Sequence, residues 1–274
     1  MSVSARKRAG RERVDRLLVE RGLAPSREKA QALILAGAVT ADGEKVRTSG
    51  DLIGLEASLA IAAPPPYVSR GGLKLEGALA AFLVEPAGRI CADVGASTGG
   101  FTDLLLQRGA ARVYAIDVGY GQLDAAVRAD PRVHVLDRTN ARHLDALPEP
   151  VSLVTIDVSF ISLTKILPAV RRWLTPDGEI VALVKPQFEA GPRQVGKGGV
   201  VRDNAVRAAT IVEVGEAAAE IGLRVRGVCA SPIAGPAGNR EFFLWIANAP
   251  DVPSLADLPA AARRAADDAG ATIA

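Results

Sequence analysis

The sequence predicts an α/β protein, a doubly wound seven-stranded sheet preceded by a small α+β unit. Three observations carry the prediction. From residue 89 onward, short apolar runs alternate with helical patterns, as parallel strands joined by crossover helices require. The last two apolar runs are joined by Ser231 to Asn239 with no helix between them, so they pair antiparallel. Before residue 62, two helical stretches and an Asp-Gly hairpin signal form a separate unit, followed by prolines 64–66, a semi-rigid spacer. The expected division is a unit over 1–62, a linker over 63–68, a large domain over 69–250 and a tail over 251–274.

Taken in order, residues 1–10 are polar and basic and read as a loose arm. Val14, Leu17, Leu18 and Arg21 recur at helical spacing up to Gly22. A second helix starts at Pro25-Ser26, with Ser26 as N-cap and Glu28 at the positive end of the dipole. Ala30, Leu33 and Ile34 are its apolar stripe, and Gly37 ends it. Strand-like runs at 38–41 and 44–46 flank Asp42-Gly43, and the run 55–61 is a last strand. From Leu73 a helix carries Leu75, Leu79 and Phe82 on one face and Lys74 on another. Strands are predicted near 89–94, 112–116, 133–136, 151–156, 178–184, 223–230 and 241–247, and helices near 100–108, 121–128, 163–173 and 204–221. The Ala- and Asp-rich tail after 250 is a short surface helix or a loose end.

With 274 residues, 49% of them apolar, the chain can bury a real core. A formal charge of +2 is too small to argue for nucleic acid. Its distribution says more, since residues 1–30 carry nine Lys/Arg against four Asp/Glu. Cys91 and Cys229 lie inside apolar runs and read as buried thiols, which suits a reducing cytoplasm. The basic N-terminus is not followed by the apolar core of a signal peptide, and there is no run of about 18 apolar residues to span a membrane. His134 and His143 are not spaced with cysteines, so no metal site is expected.

The stretch Asp93-Val94-Gly95-Ala96-Ser97-Thr98-Gly99-Gly100 lies between a strand and a helix, the layout of a nucleotide-type binding corner. Glycine lets backbone approach a ligand where a Cβ would clash. Asp117 ends the second strand, where an acid can accept from both ribose hydroxyls of a nucleoside. Asp137 ends the third, where it could accept from an adenine amino group. The turn is not G-x-G-x-x-G, and Asp93 stands just before it, where a pyrophosphate would be repelled. S-adenosylmethionine has a sulfonium and an α-amino group and no phosphate, so an acidic, glycine-rich corner suits it.

A second set of charges gathers at the same sheet edge. Asp157 and Lys185 each follow an apolar strand run, at the carboxyl ends where open α/β sheets place their sites. Glu241 opens the last strand. If that strand runs antiparallel beside the Lys185 strand, the three side chains stand in a row of about 10 Å, at roughly 4.8 Å per strand. Lys74 could complete a Lys-Asp-Lys-Glu set. The loop from Gln187 to Arg202, glycine-rich with Arg193, Lys197 and Arg202, either closes on a substrate or is a plain flexible loop.

Arg13-Val14-Asp15-Arg16-Leu17-Leu18, Ser26-Arg27-Glu28-Lys29-Ala30 and Gly37-Ala38-Val39 resemble the S-four-type RNA-binding domain, in which Arg13, Arg16, Arg27 and Lys29 would face phosphate. The seven-stranded sheet with an antiparallel end resembles the class I methyltransferase fold. Lys74, Asp157, Lys185 and Glu241 resemble the tetrad of FtsJ-like RNA 2′-O-methyltransferases. Ser69-Arg70-Gly71-Gly72-Leu73-Lys74-Leu75, Asp157-Val158-Ser159-Phe160, Val184-Lys185-Pro186-Gln187-Phe188-Glu189 and Asn239-Arg240-Glu241-Phe242, with Gly119-Tyr120-Gly121-Gln122-Leu123 and Arg138-Thr139-Asn140-Ala141-Arg142, together resemble the TlyA family, also called haemolysins. The resemblance implies S-adenosylmethionine held by Asp93, Gly95, Ala96, Ser97, Gly99, Gly100, Asp117, Asp137 and Asn140, with Arg70 on the RNA. It implies 2′-O-methylation of cytidine in rRNA of one or both ribosomal subunits. Both are favoured by the chain's length at its two ends. A monomer is expected. Aromatics are only 4%, so the chain is expected to recognise folded rRNA by shape. Rival readings are a non-catalytic assembly factor that binds cofactor and rRNA, a membrane-lytic haemolysin and an NAD(P) oxidoreductase.

Overall fold

A computed structural model of the chain describes residues 10–35, 37–62, 65–235 and 237–268, and divides it into two compact units, Met1–Pro66 and Tyr67–Ala274. The arm expected over 1–10 lies, except for Gly10, outside the described residues, as do Ala63 and Pro64 of the expected linker and the last six residues of the tail.

The smaller unit runs β1 (Arg11–Arg13), α1 (Val14–Glu20), α2 (Arg27–Leu35), β2 (Val39–Ala41), β3 (Glu44–Lys45), β4 (Leu52–Gly54) and β5 (Leu59–Ile61). Its core is Val14, Leu18, Ala30, Ile34, Val39 and Val46. Both helices lie where apolar spacing put them, and Ser26 Oγ accepts from the Lys29 N–H as an N-cap. The single strand expected over 55–61 is instead two short ones. β4 pairs with β1, and β5 pairs with β2. Asp15 is fully buried, and it gathers the side chains of Arg13 and Arg27 at 2.9 Å each and Gln31 at 3.0 Å. The hydrogen bond from Arg13 leads in holding its carboxyl well below the usual carboxylate range. Arg13 and Arg27, read from sequence as phosphate ligands, are thus already paired with a carboxylate, and Arg16 lies 3.7 Å from Glu12. Lys29 is exposed.

The larger unit begins with α3 (Gly71–Phe82), then β6 (Ile90–Val94), α4 (Gly100–Gln107), β7 (Arg112–Ile116), α5 (Ala125–Ala129) and β8 (Val133–Leu136). It continues with β9 (Val151–Ile156), α6 (Leu167–Arg171), β10 (Leu174–Val184), α7 (Pro186–Glu189), α8 (Asn204–Glu220), β11 (Arg224–Ala230), β12 (Phe242–Ala247) and α9 (Leu258–Asp268). The seven strands lie in the order β11-β12-β10-β9-β6-β7-β8. All neighbours are parallel except those made by β12, which pairs antiparallel with both β10 and β11. Apolar clusters cover both faces of the sheet's central strands, as a parallel sheet requires.

Three elements differ from expectation for local reasons. The helix expected at 121 starts at 125, because Gly121 has φ +66° and Asp124 caps the Ala126 N–H. The helix expected over 163–173 is a 3₁₀ turn, Leu163–Lys165, followed by α6, with Pro168 in the first turn of α6. The tail forms α9, whose Ala262 and Ala266 are fully buried and which packs on α8 and β11. Cys91 is buried as expected, but Cys229, on the edge strand β11, is only partly so.

Replacing Asp15 by Ala should lower the stability of the smaller unit by roughly 1.5 kcal/mol, because three charge-assisted hydrogen bonds to a buried carboxylate are lost while the half-exposed guanidinium groups regain water. The expected result is a fall of about tenfold in hydrogen-exchange protection of the α1 and α2 amides, with β6–β9 unchanged.

Candidate active site

The carboxyl ends of β6, β7, β9 and β10 and the start of β12 meet at one sheet edge. β10 and β12 are in register with Val184 opposite Phe242, so Lys185 and Glu241 emerge side by side. Asp157 follows β9, the next strand in the sheet. The three acids and bases therefore stand in the predicted row, but their pairing differs from a simple line. Lys185 Nζ lies 2.5 Å from Asp157 Oδ1, an ion pair without hydrogen-bond geometry, and donates its hydrogen bond to Ser159 Oγ at 2.9 Å. Glu241 is paired instead with Lys74 from α3, at 2.6 Å. Lys74, Lys185 and Glu241 are 8%, 7% and 1% exposed, so both pairs are largely removed from water. One carboxylate, rather than the two expected, faces Lys185.

Two cavities open beside these pairs. One, of about 510 Å³, is lined by Gly95, Ser97, Asp117, Thr139, Asn140 and Asp157 together with apolar side chains. It has two carboxylates and no basic residue on its wall. The other, of about 380 Å³, is lined by Ser69, Arg70, Lys74, Ala96, Gly100 and Asp157 among others. Gly95, Ser97 and Asp157 belong to both.

The turn between β6 and α4 is built for close approach. Gly95 has φ +86°, and a Cβ there would come within 2.4 Å of the Asp157 carbonyl oxygen. Ser97 keeps a left-handed φ of +48°, a strained state for a residue with a side chain. Its N–H is held by Asp117 Oδ2 at 2.8 Å, while Asp117 Oδ1 accepts from the Gly119 N–H at 2.7 Å. The second carboxylate thus fixes the loop and keeps lone pairs for a ligand. Asn140 Oδ1 accepts from the Arg142 N–H at 3.1 Å, and the residue lines the larger cavity.

Three of the residues assigned to a cofactor do not reach either cavity. Asp93 is fully buried, because β6 is a central strand flanked by β7 and β9, and its carboxylate accepts from Thr102 Oγ1 at 2.7 Å and Thr155 Oγ1 at 3.1 Å. Burial pushes its pKa up to about 7, against the two threonine hydrogen bonds and with help from the Asp157 charge. Asp137 is engaged by Arg128 at 2.9 Å, which draws its pKa below the usual range, and by the Gly121 N–H. Gly99, with φ +96°, serves the turn: a Cβ would strike Leu123. Ser159, Thr139 and Phe160 entered the sequence reading only as members of motif strings, with no role of their own; Phe160 is 90% exposed at φ +63°, and its ring is tilted against Phe188 with centroids 4.9 Å apart. Ser159 carried no signal of its own, since a lone serine after a strand is commonplace. Phe160 breaks no periodic pattern because it lies in a loop.

The FtsJ-like methyltransferase family model matches residues 67–248, and the S4 domain model matches residues 12–57. The chain belongs to the TlyA family of FtsJ-like methyltransferases. Over 242 residues it is 52% identical to the 16S/23S rRNA (cytidine-2′-O)-methyltransferase TlyA of Mycobacterium tuberculosis, covering 87% of this chain and 90% of that protein. It is 35% identical to the 23S rRNA (cytidine-2′-O)-methyltransferase TlyA of Campylobacter jejuni, across 65% of this chain and 70% of that one. A solved structure of a hemolysin-named protein from Streptococcus thermophilus matches with a TM-score of 0.74 at 41% identity, covering 96% of this chain and 97% of that one. Among the described residues, no helix of this FtsJ-like chain is long and apolar enough to cross a membrane, and no cluster of ligating side chains fits a metal ion.

Asp93 gives the site a pH signature. Its folded pKa of about 7 lies above the unfolded value of 3.8. Its stabilising contribution is therefore fully present below about pH 4 and lost as pH rises through 7, by up to about 4 kcal/mol. In urea unfolding, Asp93→Asn is expected to gain on the wild type between pH 5 and pH 8. Parallel pH profiles for the two proteins would contradict the assignment.

Proposed function

We propose that the protein transfers a methyl group from S-adenosylmethionine to the ribose 2′-oxygen of a cytidine in ribosomal RNA. The single observation that carries this reading is the junction of two cavities. One is walled by carboxylates without a basic residue, the other by Lys74 and Arg70, and they join at Asp157 beside Lys185. A cationic donor is favoured on the carboxylate side, and a pyrophosphate is disfavoured there. Asp117 is the group for the ribose hydroxyls of the donor, Asn140 and Thr139 for its base, and Gly95, Ala96, Ser97 and Gly100 allow close backbone approach. When bound, the donor supplies a sulfonium methyl group.

The residues of this chain then have three tasks. Lys185 holds the attacking hydroxyl: as the ammonium it orients the oxygen, and as the free amine it takes the hydroxyl proton while that oxygen is methylated. Asp157 and Ser159 fix its Nζ in place. Lys74 and Glu241 neutralise one another, so no unpaired charge is left buried beside the reacting atoms. Holding donor and acceptor in line is the larger contribution, and proton handling adds typically 10²–10⁴-fold. Phe160 offers an open ring face next to Phe188, whose ring centroid lies 6.0 Å from Lys185 Nζ, and a base drawn out of its helix can stack on it.

The relatives' names support rRNA cytidine as acceptor, and the greater identity to the protein named for both 16S and 23S supports action on both subunits. The S4 match supports RNA as partner, which fits work in the cytoplasm. The test is methyl transfer from labelled S-adenosylmethionine to purified ribosomal subunits. Lys185→Ala is expected to lower kcat by at least about 10²-fold while the Kd for S-adenosylmethionine changes less than about threefold. Wild-type turnover in that variant would overturn the role of Lys185. Cofactor and rRNA binding without transfer by the wild type would identify an assembly factor instead.

A further inference from the structure

The segment between α7 and α8 is more ordered in its bonding than a glycine-rich loop need be. After a 3₁₀ turn, Pro192–Gln194, it forms a hairpin closed by the bridge between Gly196 and Val200, with Gly198 and Gly199 at φ +80° and +74°. The hairpin is bolted down by Asn239, which is 2% exposed. Asn239 Oδ1 accepts from the Val201 N–H at 3.0 Å, and Nδ2 donates to the Gly199 carbonyl at 2.8 Å. Both functional ends of one buried amide are thus committed to the hairpin's own backbone. A hydrophobic residue there would leave two backbone groups unsatisfied.

Asn239 also belongs to the turn that covers the catalytic pair. Its carbonyl accepts from the Gly235 N–H at 2.9 Å, and Gly235 passes so close to Glu241 that a Cβ would come within 2.4 Å of the carboxylate. The preceding residue, Ala234, lines the smaller cavity and accepts from Arg70 at 3.1 Å. One side chain therefore ties the hairpin to the turn that covers Glu241 and carries Ala234 to the smaller cavity.

The hairpin segment is basic. Residues 191–202 contain Arg193, Lys197 and Arg202, all exposed, and the acid that follows, Asp203, caps α8 by accepting from the Ala205 N–H. Beneath them Arg207 donates to the Val201 carbonyl, and its pKa is lowered by burial and by the neighbouring Arg240 charge. Exposed cations on one short segment, with glycines that let backbone approach closely, suit an anionic polymer.

We propose that the hairpin is a fixed phosphate grip, with Lys197 and Arg202 contacting the RNA backbone beside the target nucleotide and Asn239 as its positioning residue. This rests on the RNA-methyltransferase reading above. Phosphate contacts position a substrate without reading sequence, so the grip complements the base-stacking ring of Phe160.

The experiment is steady-state methylation of purified, unmodified ribosomal subunits by the full chain at several salt concentrations. For Lys197→Ala/Arg202→Ala, KM for subunits is expected to rise about tenfold, with kcat and the Kd for S-adenosylmethionine unchanged. The slope of log(kcat/KM) against log salt should become shallower by about 1.5, for two lost phosphate contacts. Asn239→Ala should raise KM in the same way and speed hydrogen exchange of the Val201 amide. Unchanged KM and salt slope in a double variant that unfolds at the wild-type temperature would overturn the grip alone. No methyl transfer by the wild type would overturn the reading beneath it as well.

Discussion

The antiparallel pairing of β12 with β10 is the constraint on which the rest of the site depends. Parallel strands alone would deliver Asp157 and Lys185 to the carboxyl edge of the sheet. A parallel last strand would leave Glu241 at the opposite edge. Because β12 runs backwards in register with β10, its first residue arrives where the other strands end. Glu241 is then 1% exposed and must have a counter-charge. Lys74, from a helix that precedes the sheet in the chain, supplies it at 2.6 Å. Breaking that pair would leave a lone buried charge at the carboxyl edge of the sheet.

Two ion pairs, rather than one row of four charges, change the chemistry assigned to the set. Lys185 has one carboxylate and one hydroxyl for partners. It is held from two sides yet lies next to both cavities through Asp157. The Lys74–Glu241 pair borders the smaller cavity through Lys74 and is itself covered by the turn at Gly235. Asp93 underlies this arrangement from within the sheet: it is a buried carboxyl that ties β9 to α4 through Thr155 and Thr102 and lines neither cavity.

Much of this was legible in the sequence, and the reasons are physical. Strand ends are marked by the switch from an apolar run to a charged residue, so Asp117, Asp157, Lys185 and Glu241 could be placed at the sheet edge before any coordinates. The antiparallel end followed from a connection too short to hold a helix. Sequence position does not say which way a strand-end side chain faces, and there the reading failed. Asp93 sits one residue inside the strand end and is sealed under α4, and Asp137 is claimed by Arg128. Pair identity was also beyond reach, since Lys74 and Glu241 are 167 residues apart. Arg13 and Arg27 looked free because Asp15, the residue that binds both, reads as one more surface acid on a helix.

The central claim is that this site methylates a ribose oxygen of cytidine. Its most direct test is the chemical identity of the product after unmodified ribosomal subunits are incubated with the protein and S-adenosylmethionine. Nuclease digestion followed by mass spectrometry should find 2′-O-methylcytidine, with the methyl on the sugar fragment. A methyl group on the base fragment, or no methylated nucleoside from a protein that binds both S-adenosylmethionine and the subunits, would contradict the account.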